Sequence, residues 1–190
     1  METVHFTQRT FRTLMDCFAR PGSKGTLQTL HSIEGLYPET LSVLMTLFDG
    51  EISFQAVDDS KRLHQELRQW TGAKVEDYHE ADFIVVPANA SKEQLLKVLE
   101  VVKIGNLIDP QQSATIVMEL PQQSKEVVYQ LTGPGILHKE LVELGLSPDI
   151  LVLRAMRNRE FPLGVDVILI DENGEVLALP RTTKLEEVKS

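Results

Sequence analysis

FPLGVDVILIDENGEVLALPRTTKLE, residues Phe161 to Glu186, reads as a hairpin. Val165 to Ile170 is a near-continuous β-branched and apolar run of strand length, the pattern of a strand buried on both faces. Asp171-Glu172-Asn173-Gly174 follows, with Asn173-Gly174 supplying the positive φ values of a tight turn, and Val176 to Leu179 runs back. Pro180 has no N–H to give to a ladder, so the chain must leave the middle of the sheet there. Beyond it lies Arg181-Thr182-Thr183-Lys184, a polar, cationic segment in a chain of formal charge −9.

Upstream of the hairpin, strands alternate with helices. Ala81 to Pro87, with Phe83-Ile84-Val85-Val86 at its heart, is a second buried strand, and Ser91-Lys92-Glu93-Gln94 is a capping box that opens a helix carrying Leu95, Leu96, Val98, Leu99 and Val102. Gly105 ends it. Ile52 to Val57 is strand-like, and Asp58-Asp59-Ser60 opens a helix with Leu63, Leu67 and Trp70 on its core face, closed by Gly72. Tyr37-Pro38-Glu39 starts a helix whose core face is Leu41, Leu44, Met45 and Phe48. Gly25 to Leu30 reads as a short strand. Thr7 caps a first helix with Phe11, Leu14, Met15 and Phe18 as its buried stripe, stopped by Arg20-Pro21-Gly22. Ala114 to Leu120 and Glu126 to Thr132 read as a strand pair around Pro121-Gln122-Gln123-Ser124, and two short helices are expected near His138 to Leu144 and Pro148 to Arg157. With no repeat or linker to divide it, the chain reads as one domain, residues 1–190, of the α/β class with a mixed sheet.

A domain of 190 residues can bury roughly 70% of its unfolded surface, so no disulfide or metal is required to hold it. Twenty-eight acidic against nineteen basic side chains argue against nucleic-acid binding through a basic surface. The single cysteine, Cys17, excludes an internal disulfide, and neither a leader peptide nor a bilayer-spanning segment is evident. The expected location is the cytoplasm.

Two stretches are candidates for chemistry. Gly133-Pro134-Gly135 invites an anion-loop reading but lacks both phosphate-loop spacings, and Pro-Gly is equally the chemistry of a type II turn. In Arg181, Thr182, Thr183 and Lys184, a planar guanidinium and two hydroxyls can grip a phosphate or phosphonate, while the same cations can face an acidic partner surface. Asp166, inside an apolar run, needs a buried partner such as a backbone amide or an arginine. Arg9, Arg12 and Arg20 fit either a solvated helix face or an anionic partner. Cys17 has no activating neighbour in sequence and reads as a packed thiol. His5, His31, His64, His79 and His138 lack metal-ligand spacing, and Asp77 to Asp82 around His79 reads as an acidic loop, so no metal is expected. No nucleophile elbow is present. The residues by themselves identify no reaction.

The hairpin stretch, together with TFRTLMDCFARPG near the amino terminus and LTGPGI at residues 131–136, resembles the PhnH family, in the same order. PhnH is a subunit of the bacterial carbon–phosphorus lyase system for phosphonate use. The resemblance implies a three-layer α/β/α sandwich with a mixed sheet, similar to a reduced pyridoxal-phosphate-dependent transferase but without that cofactor. It implies a homodimer that joins the G, I and J subunits in making α-D-ribose 1-methylphosphonate 5-triphosphate. In that reaction ATP gives up adenine, and a phosphonate oxygen takes its place at C1 of the ribose. The expectation is an accessory subunit with no catalytic residue assigned, ATP and phosphonate being held mainly by partners. A free-standing phosphonate or nucleotide binder and a pyridoxal-phosphate enzyme are the alternatives; Lys184 lies outside any pyridoxal-phosphate motif.

Overall fold

The computed structural model describes residues 2–57, 61–121 and 127–188. The expected helix opening at Asp58-Asp59-Ser60 and most of the expected connection after Pro121 lie outside the described residues. In chain order the elements are α1 (Glu2–Ala19), β1 (Gly25–Thr26), α2 (Pro38–Leu47), β2 (Ser53–Ala56), α3 (Lys61–Thr71), β3 (Lys74–Val75), β4 (Phe83–Val86) and α4 (Lys92–Val101). A 3₁₀ turn at Pro110–Gln112 follows, then β5 (Thr115–Glu119), β6 (Val127–Thr132), β7 (Glu140–Leu144), α5 (Pro148–Arg157), β8 (Asp166–Ile170), β9 (Glu175–Leu179) and β10 (Lys184–Glu187).

The main sheet has the order β1-β9-β8-β5-β4-β2-β3. Strands β3, β2, β4, β5 and β8 run parallel, β9 is added antiparallel to β8, and β1 pairs antiparallel with β9, so the sheet is mixed. The hairpin supplies the change of direction. Its turn is made by Asp171, whose carboxylate accepts from the backbone N–H of Asn173 at 2.9 Å and of Glu175 at 2.8 Å, while Gly174 N–H donates to the Asp171 carbonyl at 3.1 Å. Only Gly174, at φ 75°, is left-handed there, because no described non-glycine residue has positive φ. Asn173 therefore does not share the positive φ expected of an Asn-Gly turn. The Asp171 side chain closes the loop, and one glycine completes it as in a turn followed by a bulge.

Alternation along the central strands separates two apolar cores. Ile116 and Met118, Val167 and Leu169, Leu177 and Leu179 face a core shared with Leu95, Val98 and Leu99 of α4, Ile150 and Leu151 of α5, and Tyr129 and Leu131 of β6. Val117, Ile168, Ile170, Val176 and Ala178 face the other core, with Leu14 and Cys17 of α1, Leu41 and Leu44 of α2, and Leu63 and Leu67 of α3. Period-two side chains on continuous apolar strands require both faces to be covered, as they are here. The α4 capping box forms as expected: Ser91 Oγ accepts from Gln94 N–H, and Gln94 Oε1 accepts from Ser91 N–H at 2.8 Å.

The expected pairing of Ala114–Leu120 with Glu126–Thr132 does not occur. Both edges of β5 are occupied, by β4 and β8, and β6 instead joins β10 and β7 in a separate antiparallel sheet of order β10-β6-β7. The helix expected near His138 to Leu144 is strand β7. Val142 and Leu144 alternate inward against exposed Leu141 and Glu143, and a period of two answers the open edge of β6. The first helix is rotated from its expected orientation. Phe6, Thr10, Leu14 and Cys17 are buried, whereas Phe11 and Met15 are half exposed. Gly25 explains the choice of face: a Cβ there would stand 2.4 Å from Thr13 Cγ2 and 3.2 Å from Cys17 Sγ, so the missing side chain lets this face of α1 settle onto β1. Thr7 lies within α1 rather than at its cap. The strand expected from Gly25 to Leu30 shortens to two residues, and Trp70 lies at the surface against the ring of His31, 4.5 Å away, rather than in the core.

Candidate functional site: a cationic cleft between helix and hairpin exit

The residues after Pro180 turn sharply, Thr183 N–H donating to the Pro180 carbonyl at 2.8 Å, and enter β10. Arg181 is held inside the turn. Its backbone N–H and side chain together grasp Asp166: N to Oδ1 at 2.6 Å, Nε to Oδ2 at 3.2 Å and Nη2 to Oδ2 at 2.5 Å. Its Nη1 donates to the carbonyls of Pro110 at 2.9 Å and Pro162 at 3.4 Å. Asp166 thus has both the backbone amide and the arginine that its place in an apolar strand demands, and the pair is less than one-fifth exposed. Asn158 ties the same corner together, accepting from Val165 N–H and donating to the carbonyls of Val165 and Arg181.

Thr183 is buried, 2% exposed, and its Oγ1 has no hydrogen-bond partner among the described residues. Thr182 is half buried and Lys184 exposed, opposite Thr132 in the β10–β6 ladder. That ladder brings the second candidate stretch close. Gly133, at φ 134°, lies so near the segment that a Cβ would be 2.8 Å from the Thr182 carbonyl. Gly135, at φ 84°, is pressed instead against the end of α1, where a Cβ would be 2.5 Å from the Ala19 carbonyl and 2.8 Å from Pro21 Cδ. The three stretches quoted in the sequence analysis are therefore neighbours in space, and both glycines serve close backbone approach.

Between α5 and residues 181–186 lies a cleft of about 570 Å³. Arg154, Arg159, Arg181 and Lys184 line it, with Glu186 as the one carboxylate among the lining residues and Leu151, Phe161 and Leu185 among its apolar walls. Arg154 is the residue that sequence reasoning missed. It is 4% exposed, and its guanidinium donates to the carbonyls of Thr183 at 3.1 Å, Leu179 at 3.0 Å and Pro180 at 2.7 Å, while Nε has no partner among the described residues. Burial pulls its pKa down to about 10, partly opposed by the charge of Asp166. A signal was present: in α5 the buried stripe Ile150, Leu151, Arg154 places a cation where an apolar residue belongs.

The remaining candidates stand apart. Cys17 is buried and its thiol donates to the Val176 carbonyl at 3.6 Å, with burial first and the charge of Asp16 second raising its pKa. His79 is exposed, 3.9 Å from Glu80, and no group of three or more potential ligands is arranged for a metal among the described residues. Arg9 donates to Gln28, and Arg20 pairs with Asp16 on the surface. No helix among the described residues is long and apolar enough to cross a membrane.

Residues 1–186 match the family described as bacterial phosphonate metabolism protein PhnH. The putative C-P lyase subunit protein HtxG of Stutzerimonas stutzeri is 32% identical over 185 residues, covering 94% of this chain and 85% of that protein. The alpha-D-ribose 1-methylphosphonate 5-triphosphate synthase subunit PhnH of Rhizobium meliloti (strain 1021) is 30% identical over 189 residues, covering 97% of this chain and 92% of that one.

Proposed function

The chain belongs to the PhnH family of bacterial phosphonate metabolism proteins, and from that premise we propose that it is an accessory subunit of the carbon–phosphorus lyase core complex. In this reading it is required, with its partner subunits, for transfer of ribose 5-triphosphate from ATP to a phosphonate with release of adenine. The observation that carries the accessory role is Arg181. Every arm of its guanidinium is engaged within the chain, by Asp166, Pro110 and Pro162, so the most promising cation of the sequence braces the hairpin exit instead of standing ready for a reacting group. Displacement at C1 of a ribose needs the triphosphate held, the phosphonate aimed and the departing base stabilised. We assign those tasks to partners.

The partners in this reading are the G, I and J subunits and a second copy of this chain. The segment Arg181 to Lys184, with Gly133 and Gly135 in the preceding turn, serves as an anion-binding or partner-facing edge, in which the guanidinium of Arg181 braces the backbone and Thr182 and Lys184 offer the accessible polar groups. The reading takes residues 1–190 as one cytoplasmic domain, a three-layer α/β/α sandwich similar to a reduced pyridoxal-phosphate-dependent transferase that carries no cofactor. Helices over both faces of a mixed sheet support the layering. The test is reconstitution. Partner subunits of the same organism are incubated with ATP and methylphosphonate, with and without this chain, and free adenine is measured by chromatography. The proposal expects adenine release to depend on the chain; release at full rate without it would overturn the role.

A further inference from the structure

Three stripes run along α1. Phe6, Thr10, Leu14 and Cys17 are the buried one. Val4, Gln8, Phe11 and Met15, at i, i+4, i+7 and i+11, form a second line that is left in solvent: Val4 is 69% exposed, Phe11 48% and Met15 52%. Beside it, at the same spacing, lie His5, Arg9, Arg12, Asp16 and Arg20, all exposed. Asp16, the one carboxylate in that line, pairs with Arg20 at 3.3 Å. Arg9 donates to the neutral Gln28, and Arg12 has no hydrogen-bond or ion-pair partner among the described residues. A groove of about 290 Å³ opens on this side, between α1 and residues 26–28, with Arg9, Arg12 and three threonines in its lining. One apolar stripe is enough to hold a surface helix to its domain, and scattered apolar side chains on a surface are ordinary. Three large ones in register on an 18-residue helix, edged by arginines that no carboxylate neutralises, mark a face built for contact.

We propose that this face of α1 is the docking site for an acidic amphipathic helix of a partner protein. The partner lays its own apolar stripe along Val4, Phe11 and Met15 and turns Asp or Glu side chains toward Arg9 and Arg12, whose groove receives them. A second copy of this chain fits poorly. The two-fold that sets two α1 helices antiparallel and face to face brings arginine flank against arginine flank, with Asp16 already engaged. The two-fold that sets them parallel offers Arg9 and Arg12 no carboxylate either, because the far flank of the stripe is Thr7, Leu14 and Phe18. A lipid surface fits poorly as well: Gln8 interrupts the stripe, α1 carries neither Trp nor Lys, and an anionic membrane repels a chain of formal charge −9. Between a solvated helix face and an anionic partner, the apolar line beside the arginines decides for the partner. The inference goes beyond the accessory role, and it holds or fails whether or not adenine release depends on the chain.

The test is fluorescence anisotropy of the full chain with a labelled synthetic helix three heptads long, with Leu at its apolar positions, Glu on both flanks and Ala elsewhere. A twin peptide carries Lys in place of Glu. The acidic peptide is expected to bind with Kd below about 100 µM, and roughly tenfold or more tightly than its twin. Phe11→Ser/Met15→Ser, at exposed positions, is expected to weaken that binding by roughly tenfold or more, and Arg9→Glu/Arg12→Glu to turn the preference toward the lysine twin. No binding of the acidic peptide at that concentration, equal binding of both peptides, or binding unchanged in Phe11→Ser/Met15→Ser would each overturn the proposal. So would another occupant of the same face: a dimer of the parent chain in sedimentation velocity, or its binding to vesicles of phosphatidylcholine and phosphatidylglycerol, that Phe11→Ser/Met15→Ser abolishes.

Discussion

Arg181→Ala removes one half of a partly buried ion pair at the point where the hairpin leaves the sheet. Asp166 would keep a single donor, the backbone N–H of residue 181 at 2.6 Å, and lose Nε at 3.2 Å and Nη2 at 2.5 Å. The carbonyls of Pro110 and Pro162 would lose the guanidinium as well, Pro110 keeping only the backbone N–H of Ser113 at 3.4 Å. Removing one partner of a buried pair costs about 3–5 kcal/mol. Because the two side chains retain 18% and 19% exposure and the backbone donor remains, the lower end applies, about 3 kcal/mol. With a urea dependence of about 2 kcal/mol per molar for a domain of this size, the midpoint should fall by about 1.5 M. Urea unfolding followed by circular dichroism measures it directly. The double variant Asp166→Ala/Arg181→Ala should cost clearly less than the sum of the two single changes, since no carboxylate is left stranded. A midpoint shift under about 0.3 M for Arg181→Ala, or strict additivity, would refute the reasoning that the pair braces this corner.

Three other outcomes follow from particular contacts. Gly133→Ala and Gly35→Ala both place a side chain at positive φ, but only at Gly133 does the new Cβ meet backbone, the Thr182 carbonyl at 2.8 Å, so Gly133→Ala should be the more destabilising by about 1–2 kcal/mol in the same urea assay. Ser91→Ala breaks the capping box of α4 and should cost about 1 kcal/mol, visible as a lowered thermal midpoint. Glu119 is buried at the end of β5, where it accepts from Tyr37 N–H at 2.6 Å and Ala88 N–H at 2.9 Å, and burial outweighs these bonds to push its pKa above the ordinary carboxylate value. A raised folded-state pKa means the native state holds the proton more tightly than the unfolded chain. Its contribution is therefore complete below the unfolded pKa and is lost as pH rises through the folded one. Glu119→Gln should flatten that part of the stability profile, so the variant gains on the parent as pH goes from about 4.5 toward neutral; a gap independent of pH would contradict this.

The parts of the fold that were legible in the sequence were those with one-dimensional causes. The β8–β9 hairpin, the capping box of α4 and the proline start of α2 each rest on residues a few positions apart, and each formed. What could not be read depended on partners distant in sequence. Residues 140–144, ELVEL, fit a helical or a strand period equally, and only the open edge of β6 decides for a strand. The β5–β6 pairing was plausible until β8, some fifty residues later, occupied the edge of β5. In α1 two apolar stripes lie side by side, and Gly25 selects which of them meets the sheet.

The candidate site followed the same division. The 181–184 segment stands out in the sequence because its composition departs from the chain around it, and Asp166, which needs a buried amide or arginine, has both from Arg181. That the two would meet, and that Arg181 would be consumed by the meeting, is tertiary information. Arg154 was visible only as a charge at a core position of α5, and its meaning depends on the carbonyls at the exit of β9.

The measurement that bears most directly on the central claim is the mass of what co-purifies. The chain carrying a tag is expressed with untagged G, I and J subunits of its own organism, and the eluted species is weighed by native mass spectrometry. A stable complex containing this chain and those subunits in fixed proportion is the predicted result. Elution of the chain without them, while the other subunits assemble among themselves, would contradict the account.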